Sequence, residues 1–390
     1  FLVDVPFHVV HNHGMVRDQY GKKMSKSFGN VVDPLEFIDR YGADALRFAL
    51  FQHCSPGQDV PLAEEWVDGG RRFANKLWNM ARFVLQASDG TRPQLLEFIP
   101  APALEDRWIL SRLEACRAEV DRATSIGTLD WSTAAQALYH FAWDEFADWY
   151  LEAAKVRLYG DDFAARDAAR RVLLAVLDDL LRLLHPFMPF VTEVLWRALS
   201  GADGGQDSLA GAAWPASRGE RDRDAEKRFT VLQELVGALR RFRSDHNIPP
   251  SRRIEATVVS PMRQVLEPLA PLVHALAGLE RLSFRDESPE VAGTARVVSA
   301  AGDVFIPLVG AIDVEEELTR MRKELEKAAA ERGRAMERLA DARFVERAPS
   351  RVVVREREKR DEWARVVETL QAEIAELEAV IGESSGAAAP

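Results

Sequence analysis

From Pro61 to about Trp196, apolar residues recur three and four positions apart. Phe73, Leu77, Ala81 and Val84 form one such series. Leu138, Phe141, Phe146 and Tyr150 form a second, and Leu173, Val176, Leu180 and Leu184 a third. At 3.6 residues per turn this spacing gives each helix one apolar face, so four to six amphipathic helices joined by short loops predict an antiparallel bundle. Asp130-Trp131-Ser132 and Asp161-Asp162 read as helix starts, because a carboxylate there accepts from the unpaired first-turn N–H groups. Pro186 and Pro189 mark a break, since proline lacks the N–H that a helix interior needs.

Ahead of the bundle, Phe7-His8-Val9-Val10 has the apolar content of a strand. Gly14, Gly21, Gly29-Asn30 and Asp33-Pro34 then punctuate a long irregular loop, and a helical stretch follows. Behind the bundle, Gly201 to Arg223 is rich in Gly, Asp, Ser and Ala and reads as a linker. A helix over roughly 225–243 ends before Asn247-Ile248-Pro249-Pro250. Ile254 to Val259, Arg281 to Arg285, Ala295 to Ser299 and Val304 to Val309 read as strands, with a helix near Val265 to Leu276. Gly302-Asp303 is placed to turn the last two strands into a hairpin. A small α+β module results.

Heptad spacing dominates the last segment. Leu318, Met321 and Leu325 open a 3-4 pattern that weakens and returns at Met336 and Leu339. Trp363, Val367, Leu370, Ile374, Leu377 and Ile381 continue it, and Pro349 interrupts the segment between Phe344 and Ser350. Two helices of about 30 residues, each roughly 45 Å long at 1.5 Å per residue, are expected to fold back as an antiparallel coiled coil. The fold class is therefore mainly α, divided at 1–58, 59–220, 221–312 and 313–390.

Composition narrows this picture only a little. A chain of 390 residues is too long for one core, and 47% hydrophobic with 29% charged residues is ordinary for a globular protein. No run approaches eighteen apolar residues, so no membrane partner is expected. The net charge of -11 excludes a uniformly basic nucleic-acid binder but not a local basic patch. Two cysteines, Cys54 and Cys116, lack a CxxC partner, which points to a reducing cytoplasm and against a cysteine-built zinc site. His8, His11 and His13 have no acidic cluster nearby, so no metal site is expected. The chain starts at Phe1 without a basic n-region and reads as a piece of something longer.

The candidate chemistry lies in Lys23-Met24-Ser25-Lys26-Ser27-Phe28-Gly29-Asn30. Neither GxxxxGK[ST] nor GxGxxG is present. Lys23 and Lys26, with the hydroxyls of Ser25 and Ser27 and flanking glycines, suit a mobile loop that grips ATP phosphates. When ATP activates a carboxylic acid, charge develops on the departing pyrophosphate. Ammonium groups placed there stabilise the transition state more than the ground state. The plain alternative is a solvated charge run.

The flanks favour the first reading. Gly14-Met15-Val16-Arg17-Asp18, the lysine loop, Asp33-Pro34 and Tyr41-Gly42-Ala43-Asp44-Ala45-Leu46-Arg47 together resemble the KMSKS region of class I aminoacyl-tRNA synthetases. In that family Lys26 corresponds to the usual nucleotide contact. Asn75-Lys76-Leu77-Trp78-Asn79, Asp106-Arg107-Trp108-Ile109-Leu110-Ser111, Asp148-Trp149-Tyr150-Leu151-Glu152 and His185-Pro186-Phe187-Met188-Pro189-Phe190-Val191-Thr192-Glu193 resemble the anticodon-binding bundle of its valine, isoleucine and leucine subgroup. The resemblance implies that residues 1–58 are a remnant of the α/β nucleotide-binding fold. It implies ATP as substrate, with Mg2+, and a cytoplasmic, monomeric ligase. A C-terminal coiled-coil arm is typical of the valine-specific branch, which implies valine and tRNA(Val). Members also carry an HxGH signature, a pocket for the amino acid and an inserted editing domain. None is found here, so the chain alone is expected to be inactive.

Two surfaces are assigned to tRNA. Lys76, Asn79 and Phe83 lie at i, i+3 and i+7 on one helix face, where a cation, an amide and a ring suit unstacked loop bases. The alternative is a core ring beside a surface charge. Arg343, Arg347, Arg351 and Arg355 sit at the coiled-coil tip with Arg357, Lys359 and Arg360, in excess over Glu346, Glu356 and Glu358. They suit phosphate contacts. An isoleucine-type synthetase, or a non-catalytic tRNA-binding coiled-coil protein, would share many of these features.

Overall fold

The computed structural model describes residues 9–91, 103–201, 208–217, 219–289, 293–308, 310–312 and 314–386. The chain forms two compact units, Phe1–Thr230 and Val231–Pro390.

The first unit opens with a short parallel ladder between β1 (Val16–Arg17) and β2 (Val60–Pro61). The lysine loop, α1 (Pro34–Tyr41) and α2 (Ala43–His53) lie between these strands in sequence. Phe7 and His8 of the expected first strand fall outside the described residues. Val9 and Val10 are exposed and belong to no strand among the described residues.

The bundle then follows as α3 (Glu64–Ser88), α4 (Leu104–Thr124), α5 (Trp131–His140), α6 (Leu151–Leu158), α7 (Phe163–Leu184) and α8 (Pro189–Ser200). Every residue of the three periodic series is at most 2% exposed. Asp130 accepts from the Thr133 N–H at 3.1 Å, and Asp162 from those of Ala164 and Ala165 at 2.9 and 3.1 Å, so both expected caps form. Between α5 and α6 the helix continues as wide π turns over Phe141–Tyr150. The second series contains a five-residue step from Phe141 to Phe146 that ordinary α geometry would rotate off the core. The π turns absorb that step, and the two rings lie nearly parallel, 6.5 Å apart.

Part of the expected linker is instead packed. Leu209 is buried, and Glu193 of α8 accepts from its N–H at 2.9 Å. Trp214 donates its indole N–H to Asp121 at 2.9 Å, and Arg182 donates to the Ala213 carbonyl at 3.0 Å. Small and polar residues give this stretch the composition of a free linker, but its one leucine and one tryptophan anchor it.

α9 (Arg223–Asp245) begins in the first unit and ends in the second. In the second unit β3 (Ile254–Val259), β4 (Leu279–Arg285), β5 (Thr294–Ser299) and β6 (Gly302–Pro307) form a sheet of order β4-β3-β6-β5, parallel only between β3 and β4. The crossover helix is split into α10 (Arg263–Leu266) and α11 (Ala270–Ala277), consistent with Pro268 and Pro271. The hairpin turns at Ala300-Ala301 rather than at Gly302-Asp303. Gly302 pairs with Ser299 at φ +128°, and a Cβ there would lie 2.6 Å from the Val259 carbonyl oxygen.

α12 (Val314–Ala340), α13 (Ala342–Arg347) and α14 (Ser350–Gly386) complete this unit. Arg322 pairs with Glu378 at 2.7 Å, Glu331 with Lys359 and Arg338 with Glu356 at 3.6 Å each. Partners descend in number on one helix as they rise on the other, as an antiparallel hairpin requires. The seam does not weaken after Leu325. It continues through Ala328 and Ala335, at 2% and 1% exposure, while Met336 is 52% exposed. Small side chains carry the heptad where the pattern of large ones fades.

Candidate ATP loop and tRNA-facing surfaces

β1 holds the lysine loop at its root. Asp59 accepts from the Met15 N–H at 2.8 Å and forms an ion pair with Arg17. Gly14 is required beside it, because a Cβ there would fall 1.7 Å from the Gln58 carbonyl oxygen. Buried Asp18 then folds the chain back, accepting from the N–H groups of Tyr20 and Lys22 at 3.0 and 2.8 Å. The Asn30 amide that donates to it holds the Asp18 carboxyl below its ordinary pKa.

Lys23, Lys26 and Ser27 are exposed at the loop surface, and Ser25 is half-buried. Ser25 Oγ accepts from the Ser27 N–H at 3.3 Å and caps one 3-10 turn over Lys26–Phe28, which ends at Gly29 with φ +66°. The backbone is thus ordered while both lysines keep access to solvent. Asp33 caps α1 from beyond the loop, accepting from the Leu35 N–H at 2.9 Å.

The Tyr41 to Arg47 segment works as scaffold. Asp44 is buried and accepts from the N–H groups of Phe190 and Val191 at 3.2 and 2.6 Å, capping α8 from a distant part of the sequence. Arg47 donates to the Pro186 carbonyl at 2.8 Å. Gly70 of α3 lets α2 approach closely, since a Cβ there would meet the Ala45 carbonyl oxygen at 2.5 Å. These contacts fix the loop-bearing segment to the bundle.

Lys76, Asn79 and Phe83 do share one face of α3. Asn79 is exposed and the other two are half-buried. Lys76 is not a free cation: its Nζ lies 2.8 Å from Asp148 Oδ1 and 5.0 Å from the centre of the Trp143 ring. Lys155 sits 5.4 Å over the Phe83 ring and pairs with Glu152 at 2.7 Å. Trp143 and Asp148 come from the π turns, so they join this face only through the fold. A tryptophan and an aspartate five residues apart carry no helical signal, so the sequence names Asp148 only within a bundle motif and does not single out Trp143.

At the arm, Arg351 and Arg355 are exposed one turn apart at the start of α14, with no ion-pair partner among the described residues. The side chains of Arg343 and Arg347 lie outside those described. Arg360 is paired with Asp361 and Lys359 with Glu331, which leaves the basic excess concentrated on the first turns of α14.

Three family models match. Residues 1–63 match tRNA synthetases class I (I, L, M and V), residues 106–259 the anticodon-binding domain of tRNA ligase, and residues 313–378 the valyl tRNA synthetase tRNA binding arm. The valine–tRNA ligase of Streptomyces avermitilis is 44% identical over 348 residues, 89% of this chain and 38% of that protein. Those of Carboxydothermus hydrogenoformans and Thermotoga maritima are 42% and 41% identical, covering 97% and 92% of this chain and 42% and 40% of theirs. The chain thus spans about two fifths of the length of these curated relatives. No helix among the described residues is long and apolar enough to cross a membrane. With a class I segment, an anticodon-binding segment and a valyl-type arm in one chain, the protein belongs to the class I tRNA synthetase family as a homologue of the valine–tRNA ligases.

Proposed function

We propose that this chain supplies the ATP-phosphate loop and the tRNA-holding surfaces of a cytoplasmic valine–tRNA ligase, which activates valine with ATP and esterifies it to tRNA(Val). The valine carboxylate attacks the α-phosphorus of ATP and pyrophosphate departs. Lys23 and Lys26 meet the charge that develops on the departing group, and the flexible lysine stem lets the loop close and reopen. Ser25 shapes the turn that presents Lys26, and the Ser27 hydroxyl adds a donor beside it. The magnesium that accompanies ATP is part of the substrate. Free Cys54 and Cys116 suit a reducing compartment.

The observation that carries this reading is the order of segments: solvent-accessible lysines on a pinned loop, then the bundle face, then an arm with exposed arginines. The match of residues 313–378 to a valyl-type arm favours valine over isoleucine. Lys76, Asn79 and Phe83, with Trp143 beside them, form a cation-and-ring surface for unstacked anticodon bases. Arg351 and Arg355, continued by Arg343 and Arg347, take backbone phosphates.

Binding of tRNA(Val) to the purified 390-residue chain tests this. Phe83→Ala is expected to weaken binding by roughly 5- to 150-fold, the range set by one stacked base. Lys76→Ala is expected to weaken it less, because Asp148 already holds part of that charge. Charge reversal of Arg351 and Arg355 is expected to weaken binding and to flatten its salt dependence by about one unit of slope for each phosphate no longer neutralised. Unchanged affinity in all three would refute the surface assignments. The same chain, at two fifths of its relatives' length, is expected to give no valine-dependent ATP–pyrophosphate exchange.

A further inference from the structure

Asn30 follows the lysine loop, and its side chain reaches back across the loop's base. Its Nδ2 donates to Asp18 Oδ2 at 2.8 Å and to the Lys23 carbonyl oxygen at 3.2 Å. Its Oδ1 accepts from the Ser25 N–H at 2.9 Å. One carboxamide therefore joins the residue that turns the chain into the loop, the backbone on each side of Met24, and the loop's exit. The orientation is dictated by its partners, since a flipped amide would aim its oxygen at a carboxylate and a carbonyl. Asp18 is 7% exposed, and its other oxygen is taken by the N–H groups of Tyr20 and Lys22. The anchor is itself held.

We propose that Asn30 is a positioning residue for ATP activation, a clasp that presents Lys23 and Lys26 from a preformed turn, with Asp18 as its fixed anchor. This rests on the reading of the loop as an ATP-phosphate site. The physical case is preorganisation. Without the clasp, Lys23 keeps its bridge to Arg17 and the span from Ser25 to Gly29 keeps its 3-10 turn and the Ser25 cap. Nothing described then ties the two together across Met24, and two ammonium groups on long stems would sample many placements. A displacement of about 1 Å at a reacting centre costs on the order of 100-fold in rate. Neither Asn30 nor Asp18 touches the phosphates in this scheme.

The isosteric Asn30→Asp separates hydrogen bonding from packing. It sets an acceptor against Asp18 Oδ2 and another against the Lys23 carbonyl. In the full-length ligase carrying this chain, it is expected to lower kcat for valine-dependent ATP–pyrophosphate exchange by about 10- to 100-fold. Valine affinity without ATP and affinity for tRNA(Val) are expected to be unchanged. Adding Asp18→Asn should recover much of the activity, because an amide at position 18 keeps its oxygen toward Tyr20 and Lys22 and donates toward position 30. A merely structural role would lower valine and tRNA affinity along with kcat, whereas the clasp lowers kcat alone.

Exchange within about twofold of the parent for Asn30→Asp, or a double variant no better than the single one, overturns the proposal, since the clasp predicts about 10-fold or more. If Asn30→Asp abolishes tRNA affinity and so fails to fold, Asp18→Asn alone decides. A decrease of about tenfold or more with tRNA affinity intact supports the clasp, and no decrease overturns it. Lys26→Ala is the separate control. If it leaves exchange intact, the ATP reading of the loop fails. If it abolishes exchange while Asn30→Asp does not, only the clasp fails.

Discussion

At the scale of single residues, the bundle centre is governed by one buried ionic cluster. Asp106 has no exposed surface, yet it accepts from the Tyr150 hydroxyl at 2.5 Å and from Arg157 Nη1 at 2.7 Å, while Arg157 Nε lies 2.9 Å from Glu105 Oε1. Burial raises the Glu105 carboxyl and the Tyr150 hydroxyl above their ordinary pKa values. One guanidinium therefore compensates two buried carboxyls. Arg157→Met keeps most of the volume and removes the cation, leaving both carboxyls buried without it. The expected cost is about 3–5 kcal/mol, read as a lower urea midpoint for the first unfolding transition. Tyr150→Phe removes a single donor and is expected to cost only about 1–3 kcal/mol. Equal midpoints for the two variants would contradict this division. In the sequence, Asp106 stands out only within a motif of the resembled bundle, and Tyr150 there and as the end of an apolar series. Their contact, and the part of Arg157, follow from the packing of α4 against the π turns and α6.

At the scale of elements, helix existence follows from periodicity, while helix surfaces do not. The coiled coil illustrates why. Ala328 and Ala335 contribute little hydrophobicity, so a pattern of large residues shifts the seam to Met336, one position away. The fold buries both alanines because small side chains let the two backbones approach. Ala335→Leu is therefore expected to overpack the seam and cost about 1–3 kcal/mol. Met336→Ala is expected to be nearly neutral, since that side chain is half in solvent. Thermal unfolding of the arm's helices would check both, and a reversed order would return the seam to the methionine. The segment from Ser208 to Ser217 makes the same point in reverse. Its composition belongs to a linker, and its placement is set by Leu209 and Trp214 finding sites on α8 and α4.

At the scale of the molecule, charge is arranged by location rather than by total. A net -11 coexists with accessible lysines on the loop and exposed arginines at the arm. The first unit also carries an acid-sensitive element. Burial holds His53 and His185 below the ordinary histidine pKa. Since Thr192 donates to the Met188 carbonyl at 2.7 Å, His185 Nδ1 is the donor in its 2.8 Å contact with Thr192. The unfolded chain protonates both imidazoles near pH 6.5, before the folded chain does. Their contribution to stability is thus complete above that pH and declines as pH falls toward the lower folded values. The melting temperature of the first unit is expected to drop between about pH 7 and pH 5, and His185→Gln with His53→Gln should flatten that slope. An unchanged slope would rule the two imidazoles out as its source.

The sequence alone determined the periodic helices of the bundle and the arm, the mainly α class, the family and the lysine loop. Those features are local, since helical period, proline breaks, caps and a short contiguous motif are written in neighbouring positions. Tertiary structure decided what touches what. It brought Asn30 back onto Asp18, Asp44 under α8, Trp143 and Asp148 beside Lys76, and two alanines into a seam. Each of these depends on a hydrogen bond or packing contact between residues whose separation along the chain carries no periodic signal. Such contacts acquire a definite geometry only once burial has fixed the backbones that hold them.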